Sequence, residues 1–220
     1  MISPSDKSYQ HTKNIKLGVS KLETPFLEMV LWLRERYKNP NIINVLYEWV
    51  EITNCPRLEI VYEFRQDLNC FKDELGNTLA SVEKEILDKF KSLVKNYQEQ
   101  KIDLNDLFVC FSGFDWVAKW EAYGEYLKSQ SHKKFLKDIN SPKIWKVYMC
   151  GFSVSILYKT EKIKAKSEQH KLLCCNLFSK YFKPFDQFNY YKESEFPIMF
   201  DSKTNFDKNW GSWFHYYREH

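Results

Sequence analysis

The chain has 220 residues, a formal net charge of +4, 44% hydrophobic and 17% aromatic side chains, and only 6 glycines and 7 prolines. Rings in that proportion bury enough apolar surface to offset chain entropy, which excludes a disordered polypeptide. The sequence contains neither G-x-x-x-x-G-K-[ST] nor G-x-G-x-x-G, so the common nucleotide-binding loops are excluded as well.

Membrane spanning and export find no support. The longest uncharged stretch, Val147 to Tyr158, has twelve residues, against the roughly 20 that a spanning helix needs. Charges recur from Asp6 to Glu28 without an intervening apolar region, so no signal peptide is expected. Cys55, Cys70, Cys110, Cys150, Cys174 and Cys175 show no C-x-x-C pair, which suits a reducing, cytoplasmic setting.

Residues 1–20 are polar and aperiodic and read as an N-terminal arm, with residues 21–220 as one α+β domain. Thr24-Pro25 supplies a helix start, and Phe26, Met29, Val30, Leu33 and Tyr37 then lie on one helical face that ends before Pro40. Ile42 to Ile52 fits either a helix or a strand. Leu58, Ile60, Tyr62 and Phe64 alternate with polar residues and predict a half-buried strand, with a second short one near Leu68 to Phe71. Leu79, Val82, Ile86, Phe90, Leu93, Val94 and Tyr97 hold helical spacing, the clearest single element. Leu107 to Phe111 reads as a central strand, and a helix follows Asp115. Ile144 to Met149 and Phe152 to Ala165 read as strands, Leu172 to Phe182 as an apolar helix capped by Ser167, and Phe196 to Phe200 as a last strand. Trp210 to Tyr217 is expected to pack back as a short helix. No internal repeat is legible.

The expected fold is therefore α+β with a mainly antiparallel sheet. From 107 to 200 the order strand, helix, strand, strand, helix, strand matches a ferredoxin-like βαββαβ core. That order resembles RNA-recognition modules, with Leu107-Phe108-Val109 on the first strand and Gly151-Phe152-Ser153-Val154 on the third. The pattern departs at Cys150, where a basic residue is expected, and at Val154, where a second aromatic is expected. These departures leave family membership unclaimed.

Charge carries more information. Residues 1–118 have net charge −3, residues 119–183 have +9 with 14 lysines and no arginine, and residues 184–220 have −2. Lys133, Lys134 and Lys137 cluster, and Lys143 and Lys146 flank Trp145. If Phe152 to Lys166 is extended, Lys162, Lys164 and Lys166 form a comb on one strand face. With Trp145, Tyr148 and Tyr158 as stacking rings, these lysines are the candidate contacts to a nucleic-acid backbone. The absence of arginine points away from base-specific readout. The competing reading is a solvated, aggregation-guarding edge.

No catalytic constellation, metal site or cofactor is expected. His11, His132, His170, His215 and His220 show no H-x-x-x-H spacing. His170 and Cys174 share a helix face, but an apolar helix favours a buried, inert thiol. Asp201 and Lys203 make the half-motif of a metal-dependent nuclease without an evident second carboxylate. At the C-terminus, Trp210, Trp213, Phe214 and Tyr217 either seal the core or anchor a protein partner. The leading expectation is a non-catalytic binding protein, a subunit or adaptor whose lysines contact nucleic-acid backbone. The alternatives are an inhibitor or immunity-type protein-binding module and a metal-dependent phosphodiesterase. Oligomeric state is not legible.

Overall fold

The computed structural model describes residues 3–51, 53–71, 78–97, 102–150, 153–192, 198–212 and 216. It is an α+β structure with two small three-stranded sheets, each with one antiparallel and one parallel pairing. Its contacts divide the chain into two compact units, Met1–Ala118 and Lys119–His220.

In the first unit, α1 (Lys7–Lys16) and α2 (Phe26–Arg36) precede the hairpin β1 (Ile42–Val50) and β2 (Cys55–Tyr62). A 3-10 turn (Arg65–Phe71), α3 (Ala80–Val94) and β3 (Phe108–Gly113) follow, and α4 (Phe114–Lys128) starts at once. β1 pairs antiparallel with β2, and β3 joins β2 in parallel after the α3 crossover. Alternation sends Leu58, Ile60 and Tyr62 to the face covered by α2 and α3, where Leu33, Ile86 and Phe90 complete the core. The β-branched run settles Ile42–Val50, the described body of the ambiguous Ile42 to Ile52 segment, as strand, while Ile52 lies outside the described residues.

Three expectations fail here. Residues 1–20 do not form a plain arm: α1 buries Ser8, Tyr9 and Thr12. It covers the second face of the sheet, where Asn44 donates to Thr12 Oγ1 at 2.9 Å and Tyr9 stacks on Phe114 at 5.2 Å. Sequence periodicity misses it because the buried residues are mostly hydroxyls. The strand expected near Leu68 to Phe71 is the 3-10 turn. The ferredoxin-like core is also overturned, because β3 belongs to the sheet of β1 and β2.

In the second unit, α5 (Gln130–Asp138) leads into the hairpin β4 (Ile144–Cys150) and β5 (Ser153–Tyr158). Next come α6 (Glu161–Ala165), α7 (Glu168–Phe182) and β6 (Ile198–Ser202). β4 and β5 are antiparallel, and β6 joins β5 in parallel. Phe135, Ile156, Cys174, Phe178 and Phe182 form the core on one face. On the other, Leu157 lies under Phe206 and Tyr216 with Trp145, Met199 and Trp210 against them.

The two units repeat one topology, against the expectation of no repeat. Both have a helix, an antiparallel hairpin, a helical crossover and a parallel third strand, and both first strands carry a register shift after their first residue, between Ile42 and Asn44 and between Ile144 and Lys146. The ladders then equate Val45 with Val147, Ile60 with Ile156, Tyr62 with Tyr158 and Phe111 with Phe200. On the crossover helices, Ile86, Phe90 and Val94 answer to Cys174, Phe178 and Phe182. These positions are buried or partly buried in the cores of their units.

Candidate functional site

The lysines of the second unit are the residues that the sequence singled out, and the structure divides them. β5 stops at Tyr158 because Thr160, in extended conformation, accepts from the Ile163 N–H at 3.2 Å through Oγ1 and starts α6. The extended Phe152 to Lys166 segment is thereby corrected, and the three-lysine comb with it. On a helix, positions 162 and 166 share a face while 164 points elsewhere. Lys162 and Lys166 are exposed. Lys164 turns inward, its Nζ lying 3.3 Å from Asp201 Oδ1 and 3.2 Å from Glu161 Oε2.

That inward lysine belongs to a closed polar network. Asp201, with its side chain 7% exposed, also accepts from Asn205 Nδ2 at 2.9 Å and from the Ser202 N–H at 2.7 Å. Ser202 Oγ donates to Glu161 Oε1 at 2.6 Å. Lys203 pairs with Asp207 and lies 5.2 Å from the Trp145 ring centre. The half-motif Asp201 and Lys203 thus has its charges committed to organising the turn after β6. Among the described residues no group of three or more His, Cys, Asp or Glu is placed to hold a metal ion.

Two of the remaining lysines meet at one end of the second sheet. The Lys159 N–H donates to the Lys143 carbonyl at 3.0 Å, so these exposed residues form adjacent rungs where β4 starts and β5 ends. α6, with Lys162 and Lys166, begins two residues further on. Lys137 sits in the last turn of α5, which leads into Lys143, while Lys133 and Lys134 are exposed one turn earlier. None of Lys137, Lys143, Lys159, Lys162 and Lys166 makes an ion pair with a described residue. Lys159 was missed in the sequence because it falls on the odd positions of a strand that does not extend that far.

The expected rings fare differently. Lys146 is exposed, with its ammonium 5.5 Å from the centre of the half-buried Tyr148 ring. Trp145 is half-buried against Phe206, at 5.8 Å. Tyr158 is fully buried and cannot stack on a base, which corrects its assignment as a stacking ring. Alternation aims it at the core, where its hydroxyl lies 3.0 Å from His170 Nδ1. His170 Nε2 is 3.2 Å from the Ile139 carbonyl, and Cys174 Sγ is 3.7 Å from Nδ1. Burial pushes the Cys174 thiol up to about 12, so the His170–Cys174 pair holds no thiolate at neutral pH.

Trp210 is half-buried, edge-on to Tyr216 at 6.0 Å, and helps to cover Leu157. Trp213, Phe214 and Tyr217 lie outside the described residues. No helix among the described residues is long and apolar enough to cross a membrane.

The geometry defines a class, an α+β chain made of two units of one topology with a basic sheet end on the second. No protein-family model, curated protein or solved structure matches the chain.

Proposed function

We propose that the chain is a non-catalytic binding protein whose second unit docks on the phosphate backbone of a nucleic acid. The observation that carries this reading is the set of exposed ammonium groups of Lys143, Lys159, Lys162 and Lys166 near one end of a sheet, none in an ion pair with a described residue. Lys137 extends the set along α5, and Lys133 and Lys134 continue it. Lysine is a flexible point charge, suited to phosphate and poorly suited to reading base edges. Recognition therefore rests on backbone and charge, with Trp145, Tyr148 and Lys146 at its margin.

Each phosphate neutralised on duplex DNA adds about −0.9 to the slope of log affinity against log salt. Four lysines acting together predict a slope of about −3 to −4. Fluorescence anisotropy with duplex and single-stranded DNA and RNA, from 50 to roughly 300 mM salt, measures it. Replacing Lys143, Lys159, Lys162 and Lys166 with Ala is expected to flatten the slope by most of that amount. Affinity that is negligible at low salt, or a slope unchanged by the quadruple replacement, overturns the reading.

A further inference from the structure

A recess of about 330 Å³ opens at the second face of the first sheet, bounded by Arg57, Glu59, Arg65, Leu68, Ser112 and Trp116. Its floor is already balanced. The Glu59 side chain is 1% exposed, accepting from Arg57 Nη2 at 3.1 Å and from Ser112 Oγ at 2.7 Å. Arg57 also bonds Glu48 at 2.7 Å. The rim is different. The Arg65 N–H donates to Asp115 Oδ1 at 2.8 Å, and a Cβ on Gly113 would stand 2.6 Å from Arg65 Cα. Only glycine at 113 lets the chain approach so closely, and the contact fixes where Arg65 starts. Its guanidinium lies 5.0 Å from the Trp116 ring centre and makes no ion pair with a described residue.

The second unit shows what closes the same position. Continuing the register equivalences beyond Tyr62 and Tyr158 sets Arg65 against Glu161 and Leu68 against Lys164. β3 and β6 set Ser112 against Asp201 and Gly113 against Ser202, and the next turn sets Trp116 against Asn205. In the second unit the Lys164 ammonium occupies the spot, held between Glu161 and Asp201. In the first unit an apolar Leu68 stands where the ammonium would originate, and the rim charge is reversed from carboxylate to guanidinium. The internal cation of one unit has its counterpart in an open, positively rimmed recess of the other.

We infer that this recess binds a small planar organic anion, its carboxylate on Arg65 and its ring against Leu68 and Trp116. The volume lies at the low end for ligand pockets and suits a single or fused ring pair. A cation–π contact leaves the guanidinium edge available for a bidentate carboxylate. The fixed Arg65 backbone limits the ordering cost of binding.

Isothermal titration calorimetry of the intact chain with 1-naphthoate, and with neutral 1-naphthamide, tests the inference. Saturable one-to-one binding of naphthoate is expected, with naphthamide weaker by about tenfold or more. Arg65→Gln is expected to cost at least about tenfold, while Lys162→Ala with Lys166→Ala leaves naphthoate binding unchanged. Cys110→Met places in the recess the residue that β6 carries at the equivalent position, Met199, and is expected to abolish binding without touching the rim charge. It decides the matter should Arg65→Gln fold poorly. Equal affinity for the amide, wild-type affinity in both recess variants, loss of binding in the lysine variant, or no saturable heat to roughly 10 mM ligand overturns the inference.

Discussion

Glu59 shows how much one residue's setting alters its chemistry. Burial, chiefly, holds its carboxyl above the usual carboxylate range, although Ser112 and Arg57 pull the other way. A folded-state pKa raised above the unfolded value means that the folded chain holds its proton longer. The associated stability is present below the unfolded pKa and is lost as pH rises through the folded one. Glu59→Gln is therefore expected to gain stability relative to the native chain as pH rises from about 4 to 7, as urea-unfolding midpoints across that range measure. Gly113→Ala acts through sterics alone. With Arg65 backbone atoms at 2.6 and 2.8 Å from the added carbon, either the end of β3 or the 3-10 turn must move. A loss of about 1–3 kcal/mol is expected in the same denaturation experiment. Neither residue stood out in the sequence. Glu59 alternates as any surface strand residue does, and its burial is tertiary, with Arg57 and Ser112 bonded to its carboxyl group. Tyr158, by contrast, reads as a surface ring only if Phe152 to Lys166 is one long strand, and β5 ends at Tyr158 itself.

At the scale of elements, period decides which lysines face solvent. As a strand, 162, 164 and 166 would point together; as a helix, 164 leaves the group and joins Asp201. Lys164→Ala is expected to lower stability by about 1–2 kcal/mol, because Asp201 is buried and loses a charged partner. Lys162→Ala with Lys166→Ala is expected to leave the unfolding midpoint within about 0.5 kcal/mol of native and to weaken polyanion binding alone. Thermal unfolding and anisotropy on the same samples separate the two effects. The long amphipathic stripe of α3 and the alternation of β2 were readable because tertiary packing agrees with local pattern there. The 3-10 turn at Arg65–Phe71 was not. Its Leu68 and Phe71 are buried at a spacing of three, which in a short run can be mistaken for a strand that alternates every two.

At the scale of the whole molecule, the division at Ala118 coincides with the change of net charge from −3 to strongly positive. Charge marked the boundary while composition and linker content did not, because α4 runs through it without a proline or a glycine-rich break. The α+β class was legible from the alternation of helical and strand patterns. Strand partners were not, since a short apolar strand carries no record of its neighbour; hence β3 was placed with the wrong hairpin. The repeated topology was hidden for a related reason. Matching residues such as Val45 and Val147 or Ile60 and Ile156 point to the cores, while buried polar positions on the opposite sheet faces, such as Glu59 and Ser155, differ.

That shared register shift at Ile42 and Ile144 has a bearing on how the chain reaches its native state. Two hairpins that start alike and expect the same kind of third strand are potential substitutes for one another during folding. Tandem segments of one topology are prone to swapped, misassembled partners. What separates them is their stuffing. Ile86 and Val94 shape one crossover helix, Cys174 and Phe182 the other. A strand set that settled under the wrong helix would meet a void at one layer and a clash at the next. Unequal cores therefore disfavour the exchange that equal backbones would permit.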